Sequence, residues 1–393
     1  MIVRQFLHWV RTAPASERAD ATSALARAYL YSDLNRDDLA AAEGAMIMLL
    51  DDPSPLVRRA LAEVFAGSER APPAIVHSLA ADQPEVAAQV LTRSPLFLDA
   101  DLVDAAACGE VEIQVAIARR QFLPCPVSAA IAEIGCAEAC LVLLENRGAE
   151  IVPFSLDRIV ARHGHLSAIR NVLLDRADLP VPTRQALVAK LSATLADFVA
   201  ARDWLAEERA RTIAKEACER ATVAIAAMSP NKEVSSLIRH LRESGQLTAG
   251  LMLRALLSGN TTLFEQALVG LSELSSAHVA AIVHDRWGNG FRALYDKAGL
   301  PASTYPAFRE AIAAMRDEGF LGETTGISRL KRRIIERVLT RCEAEVLGDV
   351  EPLLTLLRRF AAEAAREEAR LFCDELVAES TITTAIENRL CAA

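Results

Sequence analysis

Asp51-Asp52-Pro53-Ser54-Pro55-Leu56-Val57-Arg58-Arg59-Ala60-Leu61 is a short turn followed by the opening of a helix. Ser54 suits the N-cap, where a hydroxyl accepts from a free amide of the first turn. Pro55 suits the first helical position, where the missing N–H costs nothing. Leu56, Ala60, Leu61, Val64 and Phe65 recur at helical spacing and predict one buried stripe. Asp51 or Asp52 precedes Arg58 by about one turn, so a carboxylate–guanidinium link across the turn is expected. Arg58 and Arg59 have two readings. One is a ligand or partner site; the other ties Arg58 into the fold and leaves Arg59 in water.

Related stretches follow. They are Asp82–Leu91, Gly109–Ala118, Gly135–Leu144 and Gly164–Leu173, offset by roughly 26 to 30 residues. Between them lie the segments Pro73–Ala80, Asp101–Ala107, Pro126–Ile134, Ser155–Arg162 and Pro182–Leu195, many opening beside proline, serine or aspartate. A single helix pair cannot bury its own apolar face, so the pairs must stack. Two helices near 16–31 and 36–50 precede the first copy, and the amphipathic segment 2–12 is expected to cap the stack.

Composition agrees. Of 393 residues 52% are hydrophobic but only 5% aromatic, with alanine and leucine dominant, which suits close helix packing. Period-two runs of β-branched residues are nearly absent. The expected fold is all-α: a HEAT/ARM-like α-α superhelix of short two-helix repeats over 1–190, one or two long connecting helices over 191–228, and a second helical lobe over 229–393. That lobe should hold helices near 231–243, 247–258, 261–271, 275–286, 290–298, 304–318, 327–347, 350–366 and 368–390.

The net charge of −9 and a pI of about 5.5 argue against a nucleic-acid binder, which usually shows a basic face. The eight cysteines are scattered among alanines and leucines and read as small apolar residues. The chain opens without a secretory signal pattern, and no run of about eighteen apolar residues occurs. Cytoplasmic residence is therefore expected.

Candidate chemistry is sparse. Cys136 and Cys140 with His163 and His165 are poorly spaced for zinc, and no metal or cofactor site is expected. His278, His284, Asp285 and Arg286, followed by Arg292 and Tyr295, form the densest acid–base group. No activated nucleophile accompanies it; an anion- or peptide-binding spot is the functional reading ahead of catalysis, and a loop cap for the preceding helix explains the group equally well. Arg329, Lys331, Arg332, Arg333, Arg337 and Arg341 form a basic cluster that could meet phosphates or pair with the acidic segment beyond.

The pattern of an acidic residue, a proline-containing turn and Val-Arg-x-Ala-Leu resembles the HEAT-repeat signature. Ala24–Leu30, Asp51–Leu61, Ser94-Pro95-Leu96, Leu253–Gly259, Asp285–Tyr295 and Lys297–Pro301 together resemble a widespread alphaproteobacterial family of unknown function built of HEAT-like repeats. The likeness covers residues 15–318. It implies a cytoplasmic bacterial helical-repeat protein and brings no activity or catalytic residues. The leading expectation is thus a non-enzymatic scaffold for a protein or peptide. A helical-repeat nucleic-acid-binding or base-excision protein is the alternative, and an enzyme using the 278–295 cluster is a further one.

Overall fold

The computed structural model describes residues 9–10, 12–285, 290–318, 332–344 and 351–391. The amino-terminal segment before Trp9, with Arg286, Gly288, Asn289, Arg329 and Lys331, lies outside them. The described residues are helical throughout, and the only approach to a strand among them is a bridge between Leu123 and Ala149. There Leu123 N–H donates to the Gly148 carbonyl at 3.1 Å. A Cβ at position 148 would stand 1.9 Å from the Gln121 oxygen, so only glycine lets the two loops meet. The protein is all-α and falls into two compact units, 1–179 and 180–393.

The first unit holds α1 (Ala15–Tyr31), α2 (Arg36–Leu49), α3 (Pro55–Phe65), α4 (Pro73–Ala80), α5 (Pro84–Arg93), α6 (Asp99–Cys108), α7 (Val111–Ala118), α8 (Cys125–Ile134), α9 (Ala137–Glu145), α10 (Pro153–His163) and α11 (Ser167–Asp175). Helices α1, α3, α5, α7, α9 and α11 pack in succession as one layer, and α6, α8 and α10 as the other. Each helix touches the next helix of its own layer two elements along, which is how short pairs share one core. Proline stands in the first turn of α3, α4, α5, α8 and α10, where its fixed φ starts the helix.

Two expectations for α3 are corrected. Val57, Leu61, Ala62 and Phe65 form the buried face, while Leu56 is exposed. Helix α3 lies between α1 and α5, and that side is one position round from the stripe drawn from Leu56. Ser54 occupies the N-cap position, but its hydroxyl makes no capping bond. Instead its N–H donates to Asp52 Oδ1 at 2.8 Å.

The second unit opens with two long helices, α12 (Val181–Ala200) and α13 (Glu207–Ala227), packed against each other along their length. They cover most of the expected 191–228 connector and belong to this unit. Then come α14 (Asn231–Glu243), α15 (Ala249–Leu257), α16 (Thr261–Ser272), α17 (Ser276–Val283), α18 (Phe291–Lys297), α19 (Tyr305–Glu318), α20 (Arg332–Ala344) and α21 (Glu351–Cys391). The charged run Arg366-Glu367-Glu368 does not divide the last helix: α21 is continuous where two were expected. Beyond Pro352 in its first turn it has no proline or glycine to stop it. Every side chain of α15 from Leu251 to Leu257 is buried, so this short helix is the centre of the core. The aromatic rings gather nearby, with Phe264 stacked on Phe308 at 5.8 Å and Tyr295 edge-on to Tyr305 at 5.2 Å.

Candidate functional site

Arg58 is engaged from both sides. Its Nε and Nη2 donate to Asp82 Oδ2 and Oδ1 at 2.5 and 2.9 Å, and its Nη1 donates to the Asp52 carbonyl at 2.6 Å. The expected carboxylate partner in its own turn is therefore wrong: the partner is the corresponding aspartate of the next copy. The Asp52 carboxylate is held by Arg18 at 2.9 and 2.8 Å. Burial alone would raise both carboxyls. The Arg18 and Ser54 bonds on Asp52, and the Arg58 and Gln83 bonds on Asp82, overcome that and hold both below the ordinary range.

Further along, side chains stitch the copies through helix-end carbonyls. Arg120 donates to the Leu91 and Ser94 oxygens at 2.6 and 2.8 Å, and Asn146 to those of Ala118 and Arg120 at 2.8 and 2.7 Å. Arg162 donates to the Ala132 and Gly135 oxygens at 2.9 and 2.8 Å. These are carbonyls that a helix end leaves without intrahelical donors. Arg59 is exposed and pairs with Glu63, one turn along α3.

The cysteine–histidine group is likewise absorbed by helix ends. Cys136 is the N-cap of α9, its Sγ accepting from the Ala139 N–H, and Cys140 points at the Ile131 and Gly135 carbonyls. Burial pushes the Cys140 thiol up to about 11. His163 Nε2 lies 3.3 Å from the Gly135 oxygen.

In the 278–295 cluster His284, Arg292 and Tyr295 each have their own local partner. Ser275 caps α17 at the His278 N–H, and His284 Nε2 lies 2.8 Å from Glu265 Oε1. Asp285 is half-buried at the end of α17. Arg292 pairs with Asp296 and lies over the Tyr305 ring at 4.4 Å. Tyr295 is wholly buried, its hydroxyl 2.7 Å from the Pro301 carbonyl and 2.6 Å from Thr304 Oγ1. Of the basic cluster, Arg332 pairs with Glu336 and Glu368, Arg337 with Asp317, and Arg333 is exposed.

The features with most room for a partner were not singled out from sequence. At the turn joining α12 to α13, Trp204 is 63% and Phe198 45% exposed, and Leu195, Leu205 and Ile213 are exposed nearby. The two rings meet edge to face at 5.9 Å, and the Arg202 guanidinium sits 4.2 Å from the Phe198 centroid and 5.5 Å from that of Trp204. Farther from the turn, α12, α13 and the start of α15 enclose a cleft of about 450 Å³. Ala189, Ala193, Ala196 and Ala214 line one part, and Glu219, Gln246 and Thr248 another. Beneath it the buried Gln185 donates to Gln246 Oε1 at 2.8 Å, and its Oε1 lies 3.1 Å from His240 Nε2.

Beside this cleft α15 carries Arg254, whose side chain is 3% exposed. Its Nη1 donates to Glu363 Oε1 and Oε2 at 2.9 and 2.8 Å, and its guanidinium lies 4.5 Å from the Phe360 centroid. Burial raises the neighbouring Glu219 carboxyl; Arg254, Lys215 and the Thr248 hydroxyl offset only part of that. The first unit has a shallower cleft of about 540 Å³, where Asp82, Asp101, Asp104 and Glu110 are the charged lining residues and Phe97 meets His77 edge to face at 5.2 Å.

Fold and site together define an all-α protein that pairs a stack of short helices with a helical unit carrying an exposed aromatic turn and a half-apolar cleft. Residues 86–348, more than half of the chain, match a family described as uncharacterised protein conserved in bacteria (DUF2336), and the chain belongs to that family. Comparison with curated proteins and with solved structures returns no match.

Proposed function

We propose that the protein is a non-enzymatic, HEAT-like helical scaffold that binds another protein through the α12–α13 turn. The observation that carries this reading is the exposed Phe198–Arg202–Trp204 group. Aromatic residues and arginine dominate the energetics of protein interfaces, because each buries a large area at low conformational cost. An exposed apolar group held by an edge-to-face ring contact and a guanidinium is already arranged for contact. The nucleic-acid alternative has less behind it. The charged lining of the first unit's cleft is acidic, and Arg332 and Arg337 are matched by carboxylates. A cytoplasmic role in alphaproteobacteria, as the sequence resemblance implies, fits this reading.

The test is affinity capture from a lysate of the source bacterium, using the full chain beside a Phe198→Ser/Trp204→Ser variant whose circular dichroism matches wild type. A nuclease-resistant protein partner held by wild type and lost by the variant is the expected result. Equal capture by both, or capture abolished by nuclease, overturns the assignment.

A further inference from the structure

The cleft between α12 and α13 has a shape and a chemistry that the interaction surface at the turn does not need. Two long helices in contact normally interdigitate large side chains along their seam. Here Ala189, Ala193 and Ala196 on α12 face Ala214 on α13 across the open volume of about 450 Å³. The small side chains leave the space, and that volume lies within the range of small-molecule sites. At the end away from the turn, the lining changes to Glu219, Gln246 and Thr248.

The polar end is partly built and partly unfilled. The amide of Gln246 is fixed from below by Gln185, which is itself held by His240. By contrast, the Glu219 carboxylate receives one side-chain bond, from the Thr248 hydroxyl, at 3.4 Å. That is at the long limit for an O–H···O contact. A carboxylate has about four acceptor positions, and one turned into a half-buried, mostly apolar cleft loses hydration that a single long bond does not replace. Gly250 contributes to the room there: a Cβ added to it would stand 3.8 Å from Glu219 Oε1. The buried cation Arg254 gives its Nη1 to both oxygens of Glu363, and none of its described hydrogen bonds goes to Glu219.

We infer that this cleft binds a small organic amine, its ammonium group donating to Glu219 and its short hydrocarbon part lying along the alanine wall. An ammonium brings three donors to a carboxylate that has unused acceptors. The alanine wall accepts an aliphatic chain or one ring, and the polar groups that line the cleft beside it are Ser192 and the exposed Asp197. Lys215 and Arg211 also line the cleft. Arg211 is paired with Glu207, so Lys215 is the group that would favour the opposite charge, a carboxylate.

The test uses the full chain with labelled alanine methyl groups and three matched probes, n-hexylamine, hexanoate and n-hexanol, titrated at neutral pH. The amine is expected to shift the methyl signals of Ala189, Ala193 and Ala214 saturably. Glu219→Gln, which keeps the side chain's size, should weaken the amine at least about tenfold while leaving hexanol unchanged. Ala193→Met fills the cleft from a position exposed at its mouth, so the fold tolerates it. It should abolish the shifts from every probe. Preferential binding of hexanoate, equal binding of amine and hexanol, amine binding indifferent to Glu219→Gln, or no saturable shift from the amine each overturns the inference. None of these outcomes depends on the aromatic turn, so failure here and failure of partner capture are read separately.

Discussion

The Arg58–Asp82 pair joins two neighbouring copies through two hydrogen bonds between half-buried groups, and its acid member is held below the ordinary aspartate value of 3.8. A carboxyl with a depressed folded value takes up its proton less readily folded than unfolded. Its contribution to stability is therefore complete above that ordinary value and is lost as pH falls through the depressed one. Asp82→Asn should lower the stability of the first unit at pH 7 by about 1–2 kcal/mol, the range for a charged hydrogen-bonded pair that keeps some water contact. The same substitution should flatten the acid limb of denaturant midpoints measured between pH 5 and pH 2. An acid limb as steep as that of wild type would show that Asp82 contributes nothing to it.

At the scale of elements, α15 depends on α21, because its buried Arg254 finds both its carboxylate and its aromatic face there. Arg254→Met should cost about 3 kcal/mol, since Glu363 is left at the edge of an apolar core with only Arg220, 3.4 Å away. Adding Glu363→Leu should restore part of the loss, and urea unfolding of the two variants checks both statements. A double variant no more stable than Arg254→Met would mean that packing, not the stranded charge, sets the cost. Much of this layer was legible in the sequence. The expected segments Pro73–Ala80 and Pro126–Ile134 correspond to α4 and α8, because proline at a first turn marks a start that tertiary packing rarely moves. What sequence missed has physical causes. Glu219 follows Lys215 and Glu216 on α13 in the spacing of a solvated face, and only the neighbouring chain decides that it is enclosed. Arg58 was paired within its own turn because its true partner belongs to the next copy. Arg254 was readable in principle, as a lone arginine in the apolar run Leu251–Leu257 requires a buried anion somewhere in the chain.

Over the whole molecule, the two units differ in how far along the chain their longest side-chain ties reach. Side-chain ties between the copies of the first unit join residues 22 to 34 positions apart. In the second, Arg254 and Arg220 reach Glu363 across 109 and 143 positions. Ending the chain at Ala344 should therefore leave hydrogen-exchange protection in α3, α5, α7 and α9 unchanged and remove it from α15. Protection of α15 that survives the truncation would show that its core closes without α21. The same contrast acts while the chain is being made. A ribosome adding about 5–20 residues per second delivers the next tie of the first unit within seconds of the last, so each pair of helices can dock as it emerges, beginning at the amino end. The second unit also has ties of 28 and 33 positions, Arg242 to Gly270 and Arg316 to Val283, but the partner of its core arginine comes much later. Arg254 leaves the ribosome well before its anion exists, and α15 waits exposed until the last long helix arrives. Nascent chains of this protein should thus carry a finished front half and an unfinished back half for most of their synthesis, with the interval after Leu257 the period in which holding chaperones have most to cover.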